Sequence, residues 1–270
     1  MPTTPPRPAH PPVLETATPL SQPARPELTE GVRVGVLLSH GFTGSPGSMR
    51  AWGESLAARG FGVEVPRLPG HGTTWQDMNT TTFEEWYAEI AATYQRLRAE
   101  NDVVVAGGLS MGGALVLRLA EEHGDGLAGL IVVNPAVASG RKDALLLPLV
   151  KHLVGAFPGI ASDIKRTGVV ESAYSRTPLK AAHTMFKAWP AIVRDLGRIT
   201  VPLLYFRSTV DHVVDGLSEP LILEGVSSKD ITFTPLTDSY HVATVDNDAQ
   251  QIFDESAAFI RRVCGLGAGE

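Results

Sequence analysis

Short apolar runs alternate with amphipathic stretches of helical period from residue 32 to residue 136. The apolar runs VRVGVLLSH, FGVEVPRL, DVVVAGG and LAGLIVVNPA are typical of buried strands, and helical patterns such as GSMRAWGESLAARG separate them. Strands that alternate with helices form a parallel sheet that helices cover on both faces. The alternation therefore predicts an α/β fold with a mostly parallel central sheet flanked by helices.

This alternation stops near residue 137 and resumes near residue 199. The intervening segment has helix-like pieces that glycine and proline interrupt, such as DALLLPLVKHLVGAFPG. Afterwards VPLLYFRS and ITFTPL are typical of strands, and DAQQIFDESAAFIRRV is typical of a closing helix. We therefore expect one core domain, residues 29–136 and 199–270, with a mostly helical cap inserted at residues 137–198.

The N-terminal segment has a different composition, with nine prolines among its first 26 residues. Each proline fixes φ and removes a backbone donor. Residues 1–28 are therefore expected to form an extended or disordered tail outside the core. The segment lacks the apolar middle of a secretory signal, and no apolar stretch of the chain is long enough to span a bilayer.

Charge and cysteine content narrow the classes of partner and site. The formal net charge is −6 and no run of lysine and arginine occurs, which argues against a nucleic-acid partner. Cys264 is the single cysteine, which excludes an internal disulfide and a multi-cysteine metal site. A lone cysteine agrees with a reducing compartment, so we expect a cytoplasmic protein without a bound metal. The sequence carries no signal of oligomeric state.

One serine lies among glycines in GGLSMGG, residues 107–113, directly after a predicted strand and before a predicted helix. Ser110 fits the pattern G-x-S-x-G, in which the serine occupies a sharp, strained strand-to-helix turn. Side chains at positions 108 and 112 would collide with neighbouring backbone. The N-terminus of the following helix favours negative charge beside the serine. Ser110 is therefore the candidate nucleophile.

A serine hydroxyl needs a base to take its proton and a carboxylate to orient that base. In hydrolases with this strand–turn–helix serine, the acid follows the serine and the histidine comes last. Among eight histidines, His241 in LTDSYHVATVD lies between the last predicted strand and the last predicted helix. Asp211 in YFRSTVDHVVD lies just beyond a strand and is favoured as the acid over Asp215, with Asp238 as a further alternative.

The oxyanion of acyl transfer needs backbone N–H donors that are fixed before the reaction. Met111 follows the candidate nucleophile and supplies one such donor. We expect the second donor in SHGFTGSPGSM, the loop after the first core strand. Gly41 and Gly44 let this loop bend toward the serine, which makes Phe42 the natural donor.

Six segments together resemble the bacterial monoacylglycerol lipases and related carboxylesterases of the α/β-hydrolase superfamily. They are HGFTGSPGSMR, PRLPGHGTTWQDM, TTFEEW, GLSMGG, DHVV and SYHVAT, in that order within residues 32–260. The resemblance implies a Ser110–Asp211–His241 triad, an oxyanion hole from the Phe42 and Met111 amides, and no cofactor. It also implies a small ester substrate, either a monoacylglycerol of short to medium acyl chain or a simple carboxyl ester, cleaved through an acyl-enzyme.

The resemblance extends to the cap. In monoacylglycerol-cleaving members a glutamate on the cap hydrogen-bonds glycerol, and Glu171 in GVVESAYSRTP matches that position. The turn RTG at residues 166–168 departs from the family pattern, so the resemblance bears more on the reaction than on the substrate. Of nine apolar cap residues, some are expected to pack on the cap's own helices and the rest to line an acyl pocket above Ser110. These residues are Leu145, Leu146, Leu147, Leu149, Val150, Leu153, Val154, Phe157 and Ile160.

Two alternatives stay open at this point. One is a general carboxylesterase without preference for glycerol, and the other is a ligand-binding protein of this fold with little turnover. The presence of all three candidate triad residues argues against the second alternative. A burst of product from an activated ester would separate an enzyme from a pure receptor.

Overall fold

The central sheet has seven strands in the part of the chain that the computed structural model describes, residues 11–140, 147–159 and 162–267. The strands are β1 (Leu20–Gln22), β2 (Val34–Ser39), β3 (Gly62–Val65), β4 (Val103–Leu109), β5 (Gly129–Val133), β8 (Leu203–Ser208) and β9 (Ile231–Leu236), while β6 (Ala156–Pro158) and β7 (Arg176–Pro178) form a separate ribbon. The sheet order is β1–β3–β2–β4–β5–β8–β9. Strand β1 is antiparallel to β3 and all other neighbours are parallel, which confirms the predicted α/β class.

Helices cover both faces of this sheet. They are α1 (Gly47–Ala58), α2 (Trp75–Met78), α3 (Phe83–Glu100), α4 (Met111–His123), α5 (Leu147–Val150), α6 (Leu179–Asp195), α7 (Ser218–Gly225) and α8 (Ala249–Val263). Side chains of α1 and α8 pack on one face, and side chains of α3, α4, α6 and α7 pack on the other. In β4, Val104 and Ala106 face the second group while Val105 faces the first. Burial on both faces explains why the strands are continuous apolar runs.

The N-terminal expectation is corrected for residues 11–28. Strand β1 pairs with β3, and Ala17 and Leu20 are buried against the core. An antiparallel edge strand makes ladder bonds on one side only, so prolines before and after it are tolerated. Residues 1–10 lie outside the described residues.

The described part of the inserted segment contains two helices and a two-stranded ribbon. The short helix α5 and the β6–β7 ribbon lie in its first part, followed by the long helix α6. Ala181, Met185 and Ile192 of α6 belong to the same buried cluster as α3 and α4. Helix α6 therefore packs with the core, although the sequence predicts it within the cap at residues 137–198.

The carboxyl edge of the sheet brings the candidate site residues together. Ser110 follows β4, the loop with Phe42 follows β2, Asp211 follows β8 and His241 follows β9. Parallel strands present all of these loops at one edge, which is where α/β sheets bind ligands. The segment between β5 and β8 contributes Glu171, which lines the same cavity at this edge as Ser110 and His241.

Candidate active site

Ser110 occupies a strained turn between β4 and α4. Its backbone dihedrals are φ 56° and ψ −118°, a region that residues other than glycine rarely adopt. A Cβ at Gly108 would lie 2.3 Å from the Gly112 backbone, and a Cβ at Gly112 would lie 2.1 Å from the carbonyl oxygen of Ser39. The prediction that both positions require glycine is confirmed. The turn presents the serine to a cavity at the sheet edge.

His241 and Asp211 meet in the same region. Nδ1 of His241 lies 2.9 Å from Oδ2 of Asp211, and both side chains are buried. His241 lines the cavity that Ser110 also lines. Because Nδ1 donates to the carboxylate, the other ring nitrogen, Nε2, is the one that can accept a proton.

The two other candidate acids bind elsewhere. Asp215 lines the cavity, but its carboxylate accepts hydrogen bonds from the amides of Gly140 (2.6 Å) and Leu217 (3.1 Å). Asp238 forms an exposed ion pair with Lys165 at 2.7 Å. Of the three carboxylates, the structure brings only that of Asp211 to His241.

The Asp211 carboxylate is fully hydrogen-bonded. Its Oδ1 accepts the amides of Val213 (2.9 Å) and Val214 (2.8 Å), and its Oδ2 also accepts Nη1 of Arg207 at 2.8 Å. Burial alone would raise the pKa of Asp211, but the contact with His241 and the two amides hold this pKa below its ordinary value. Sequence reasoning missed Arg207, because an arginine four residues before an aspartate at the end of a strand does not form a recognisable motif.

The loop after β2 is arranged to present an amide. Nδ1 of His40 donates to the carbonyl of Gly41 (3.0 Å), and Nε2 of His40 accepts the amide of Leu68 (3.3 Å). The Gly41 carbonyl and the Phe42 N–H belong to one planar peptide and point in opposite directions, so His40 fixes the direction of that N–H. Burial lowers the pKa of His40 to about 4, which keeps the ring neutral. Met111 is the first residue of α4, where the N–H has no partner within the helix.

Glu171 reaches the cavity from the cap. Its Oε1 would lie 2.8 Å from a Cβ at Gly44, so glycine at that position gives the carboxyl room beside the loop after β2. Ser162 holds the backbone here by accepting the amide of Glu171 at 2.8 Å. Burial raises the pKa of Glu171 to about 7, and the charge of His241 opposes the rise. A buried carboxyl of this kind is a hydrogen-bonding group for a polar ligand.

The apolar wall of the cavity corrects one expectation. Met185, Phe186 and Trp189 of α6 line it, together with residues after β2, β4, β5 and β8. Some of the nine apolar cap residues were expected to line it, but none of those that the structure describes does so. Leu147 and Val150 pack behind Phe42 and Phe186, and Leu149, Leu153, Val154 and Phe157 are exposed to solvent. Leu145, Leu146 and Ile160 lie outside the described residues. The apolar pattern of the cap sequence did not distinguish a wall from an outer surface.

A segment that we call the cap strap, residues 162–166, lies against the candidate triad loops. The carboxylate of Asp163 contacts the backbone of both His212 and His241. Buried Asn134 donates from Nδ2 to the carbonyl of His241 at 2.9 Å. Sequence reasoning missed Asp163 and Asn134, because side chains that hold distant backbone groups leave no pattern along the chain.

Two features of the described ranges bear on metal binding and on membrane crossing. No group of three histidine, cysteine, aspartate or glutamate side chains within them could hold a metal ion. None of the helices in those ranges is both long and apolar enough to cross a membrane.

A mostly parallel sheet with a serine on a strained turn after a central strand and a histidine–carboxylate pair at the same edge defines an α/β-hydrolase. The family model described as serine aminopeptidase, S33, matches residues 31–248. The thermostable monoacylglycerol lipase of Bacillus sp. (strain H-257) is 38% identical over 252 residues, 92% of this chain and 98% of that protein. The carboxylesterase of Bacillus subtilis (strain 168) is 22% identical over 242 residues, 88% of this chain and 97% of its own length.

Solved structures show a similarity to the same kinds of enzyme. One from work on the metagenome-derived lipolytic enzymes LipS and LipT is 40% identical, with a TM-score of 0.87 over 93% of this chain and 99% of its own. The Paleococcus ferrophilus monoacylglycerol lipase, at 19% identity, shares the fold with a TM-score of 0.72 over 91% of this chain and 98% of its own. The chain belongs to the bacterial monoacylglycerol lipase and carboxylesterase family of the α/β-hydrolase superfamily and is a carboxylic ester hydrolase.

Proposed function

We propose that Ser110 is the nucleophile of this hydrolase, His241 its general base and Asp211 the acid that orients the base. The observation that carries the proposal is the 2.9 Å contact between His241 and Asp211, beside a cavity that Ser110 also lines. With Nδ1 of His241 held by the carboxylate, Nε2 is set to take the serine proton. The strained turn at Ser110 gives the substrate access to the hydroxyl oxygen.

The reaction follows from these positions. Oγ of Ser110 attacks the ester carbonyl carbon while its proton passes to Nε2 of His241. The negative oxygen that forms accepts hydrogen bonds from the amides of Phe42 and Met111. His241 then gives its proton to the departing alcohol, which leaves an acyl group on Ser110. A water molecule, deprotonated by His241, hydrolyses the acyl-enzyme and restores the serine. No step requires a cofactor.

The proposed substrates are monoacylglycerols of short to medium acyl chain. The relative from Bacillus sp., named as a monoacylglycerol lipase, supports this choice. A second support is Glu171, whose buried carboxyl lines the same cavity as Ser110 and is suited to bind glycerol hydroxyls. The apolar wall from α6 offers a place for the acyl chain. A general carboxylesterase is the second candidate, since the Bacillus subtilis relative carries that name.

Three variants and one substrate panel test the proposal. Ser110→Ala should lower kcat by at least about 10³-fold without changing the thermal unfolding temperature. Asp211→Asn should lower kcat by about 10³- to 10⁴-fold, and the matched Asp215→Asn by less than about tenfold. Near-normal activity of Ser110→Ala would refute the nucleophile, and a larger loss in Asp215→Asn would refute the acid. A kcat/KM panel of monoacylglycerols and matched alkyl esters separates the two substrate classes.

A cytoplasmic location without a nucleic-acid partner completes the proposal. The single cysteine and the net charge of −6 support it. Fractionation of the source cells, with esterase activity measured in each fraction, tests the location.

A further inference from the structure

We propose that Asp163 of the cap strap is a positioning residue that sets the spacing between the loops of Asp211 and His241. The cap would then be part of the catalytic geometry as well as a cover for the substrate. This inference rests on the proposed function, because it concerns the placement of the general base.

One oxygen of Asp163 contacts both loops. Its Oδ2 accepts the amide of His212, the residue after Asp211, at 3.1 Å and the amide of His241 at 3.2 Å. Its Oδ1 lies 2.8 Å from Nδ1 of His212, and its backbone carbonyl accepts the amide of Val242 at 3.1 Å. The side chain is only 9% exposed, so water competes little for these contacts.

The core holds residues 240–242, which we call the base loop, through other contacts. Asn134 donates to the carbonyl of His241 at 2.9 Å, and Oγ of Ser208 donates to the carbonyl of Tyr240 at 2.8 Å. Oδ2 of Asp246 accepts the amide of Tyr240 at 2.9 Å. In residues 240–242 the core therefore binds two of the three carbonyls, those of Tyr240 and His241, while Asp163 binds two of the three amides.

The strap itself is anchored, so Asp163 is not carried by a loose segment. The amides of Lys165 and Arg166 donate to the carboxylate of Asp246 at 2.7 and 2.8 Å. Asp246 is buried and also binds the base loop through Tyr240. Residues 163–166 are thus joined to the base loop at both ends, directly through Asp163 and by way of Asp246 through Lys165 and Arg166.

Small displacements of a general base have large kinetic effects. The base must lie within about 3 Å of the serine oxygen, and a shift of about 1 Å can lower the rate about 100-fold. Loss of Asp163 would release the amides of His212 and His241 together. The loop of Asp211 and the loop of His241 would then each lose one restraint. We expect the effect on kcat, because the chemical step depends on this spacing and binding of a small ester does not.

The test compares Asp163→Ala and Asp163→Asn with Asn79→Ala. Asn79 also joins the core to the inserted segment, through the carbonyl of Gly155 (2.9 Å) and the amides of Lys180 (2.8 Å) and Ala181 (3.3 Å), but it contacts no triad loop. Asparagine at 163 keeps one acceptor oxygen for the two amides and turns its nitrogen toward His212. With a short aryl ester, Asp163→Ala should lose about 10- to 100-fold in kcat with KM within about twofold. Asp163→Asn should retain most of the activity.

Two further measurements make the result decisive. The rate of serine phosphonylation by a fluorophosphonate should fall in parallel with kcat in Asp163→Ala, since both need the placed histidine. In the wild-type enzyme, hydrogen exchange at the amide of residue 241 should be slow, a measurement that needs no variant to fold. Two results would overturn the inference. One is an equal loss of kcat in Asp163→Ala and Asn79→Ala, measured below the unfolding temperatures of both variants, and the other is rapid hydrogen exchange at the amide of residue 241. Failure of the proposed function would be seen in a different experiment, because Ser110→Ala would then retain esterase activity.

Discussion

Arg207 and His241 donate to the same oxygen atom of Asp211, at 2.8 and 2.9 Å. The guanidinium is largely buried, and its Nη2 also donates to the carbonyl of Val214 at 2.9 Å. Arg207 therefore both orients the carboxylate and places a positive charge near the ring that becomes positive during the reaction. The two effects act in opposite directions on the rate.

Replacement of Arg207 separates orientation from charge. Arg207→Met should lower kcat by about tenfold, because the lost orientation of the Asp211 carboxylate is expected to outweigh the lost charge. Arg207→Lys keeps a cation that can donate to the same oxygen and should retain more of the activity. Steady-state kinetics with a short aryl ester measures both variants. A higher kcat in Arg207→Met would show that the charge is the larger effect.

The N-terminal strand should contribute to stability. Leu20 is 6% exposed and packs with the helix α1 cluster, so Leu20→Ala should lower the free energy of unfolding by about 2–4 kcal/mol. Leu14, which is 47% exposed, offers a control in which Leu14→Ala changes this energy by less than about 0.5 kcal/mol. Chemical denaturation measures both. Equal stability of Leu20→Ala and the wild type would mean that β1 does not hold to the sheet in solution.

Local sequence predicted the elements that carry a strong local signal. The apolar runs predicted as strands form β2, β4 and β5, and Ser110 lies on the turn that its glycines demand. Strand β1 was missed because three residues between prolines have no readable period, and only pairing with β3 makes them a strand. Asp163 was missed because it is 78 residues from His241 and binds a backbone amide, which any residue type provides. Contacts of that kind depend on the three-dimensional fold and leave no signal in the local sequence.

The acyl pocket should depend on α6 and not on the apolar residues of the cap surface. Activity should rise about fourfold for each added methylene until the pocket is full, from about 0.8 kcal/mol of burial per methylene. Phe186 lines the cavity, so Phe186→Ala should move the optimal acyl length to longer chains. Leu153 is 86% exposed, and Leu153→Ala should leave the optimum in place. The kcat/KM of each variant across an ester series measures the shift, and a common optimum in all three proteins would contradict the pocket.

Glu171 should make stability depend on pH. Burial raises its pKa from 4.5 to about 7 in the folded state. Because the folded value is the higher one, the contribution of the neutral carboxyl to stability is complete below about pH 4.5 and is lost as the pH rises to about 7. Relative to Glu171→Gln, which cannot ionise, the wild type should therefore lose up to about 3 kcal/mol across this window. Unfolding free energies at pH 5 and pH 8 measure the change, with the exposed Glu54→Gln as a control; parallel curves would contradict the prediction.

Glu171 should also select the alcohol part of the substrate. The proposed catalytic residues, Ser110, His241 and Asp211, all lie on core loops. A cap carboxyl therefore acts on substrate binding and orientation only. At pH 8 the Glu171 carboxyl, whose pKa is about 7, is mostly ionised, and a hydrogen bond to a charged group contributes about 1.5–3 kcal/mol, which corresponds to about 10- to 150-fold in kcat/KM. Glu171→Ala should therefore lose this factor on a monoacylglycerol and much less on an aryl ester of the same acyl chain.

The ratio of these two losses is the quantity that tests the role of Glu171. Water entering the space left by the side chain would soften the absolute loss on the monoacylglycerol, but it would not create a loss on the aryl ester. Glu171→Gln keeps the shape with a weaker acceptor and should fall between wild type and Glu171→Ala. Equal losses on both substrates would assign Glu171 to cap structure, where its amide already binds Ser162 at 2.8 Å. No loss on either substrate would favour a general carboxylesterase over a monoacylglycerol lipase.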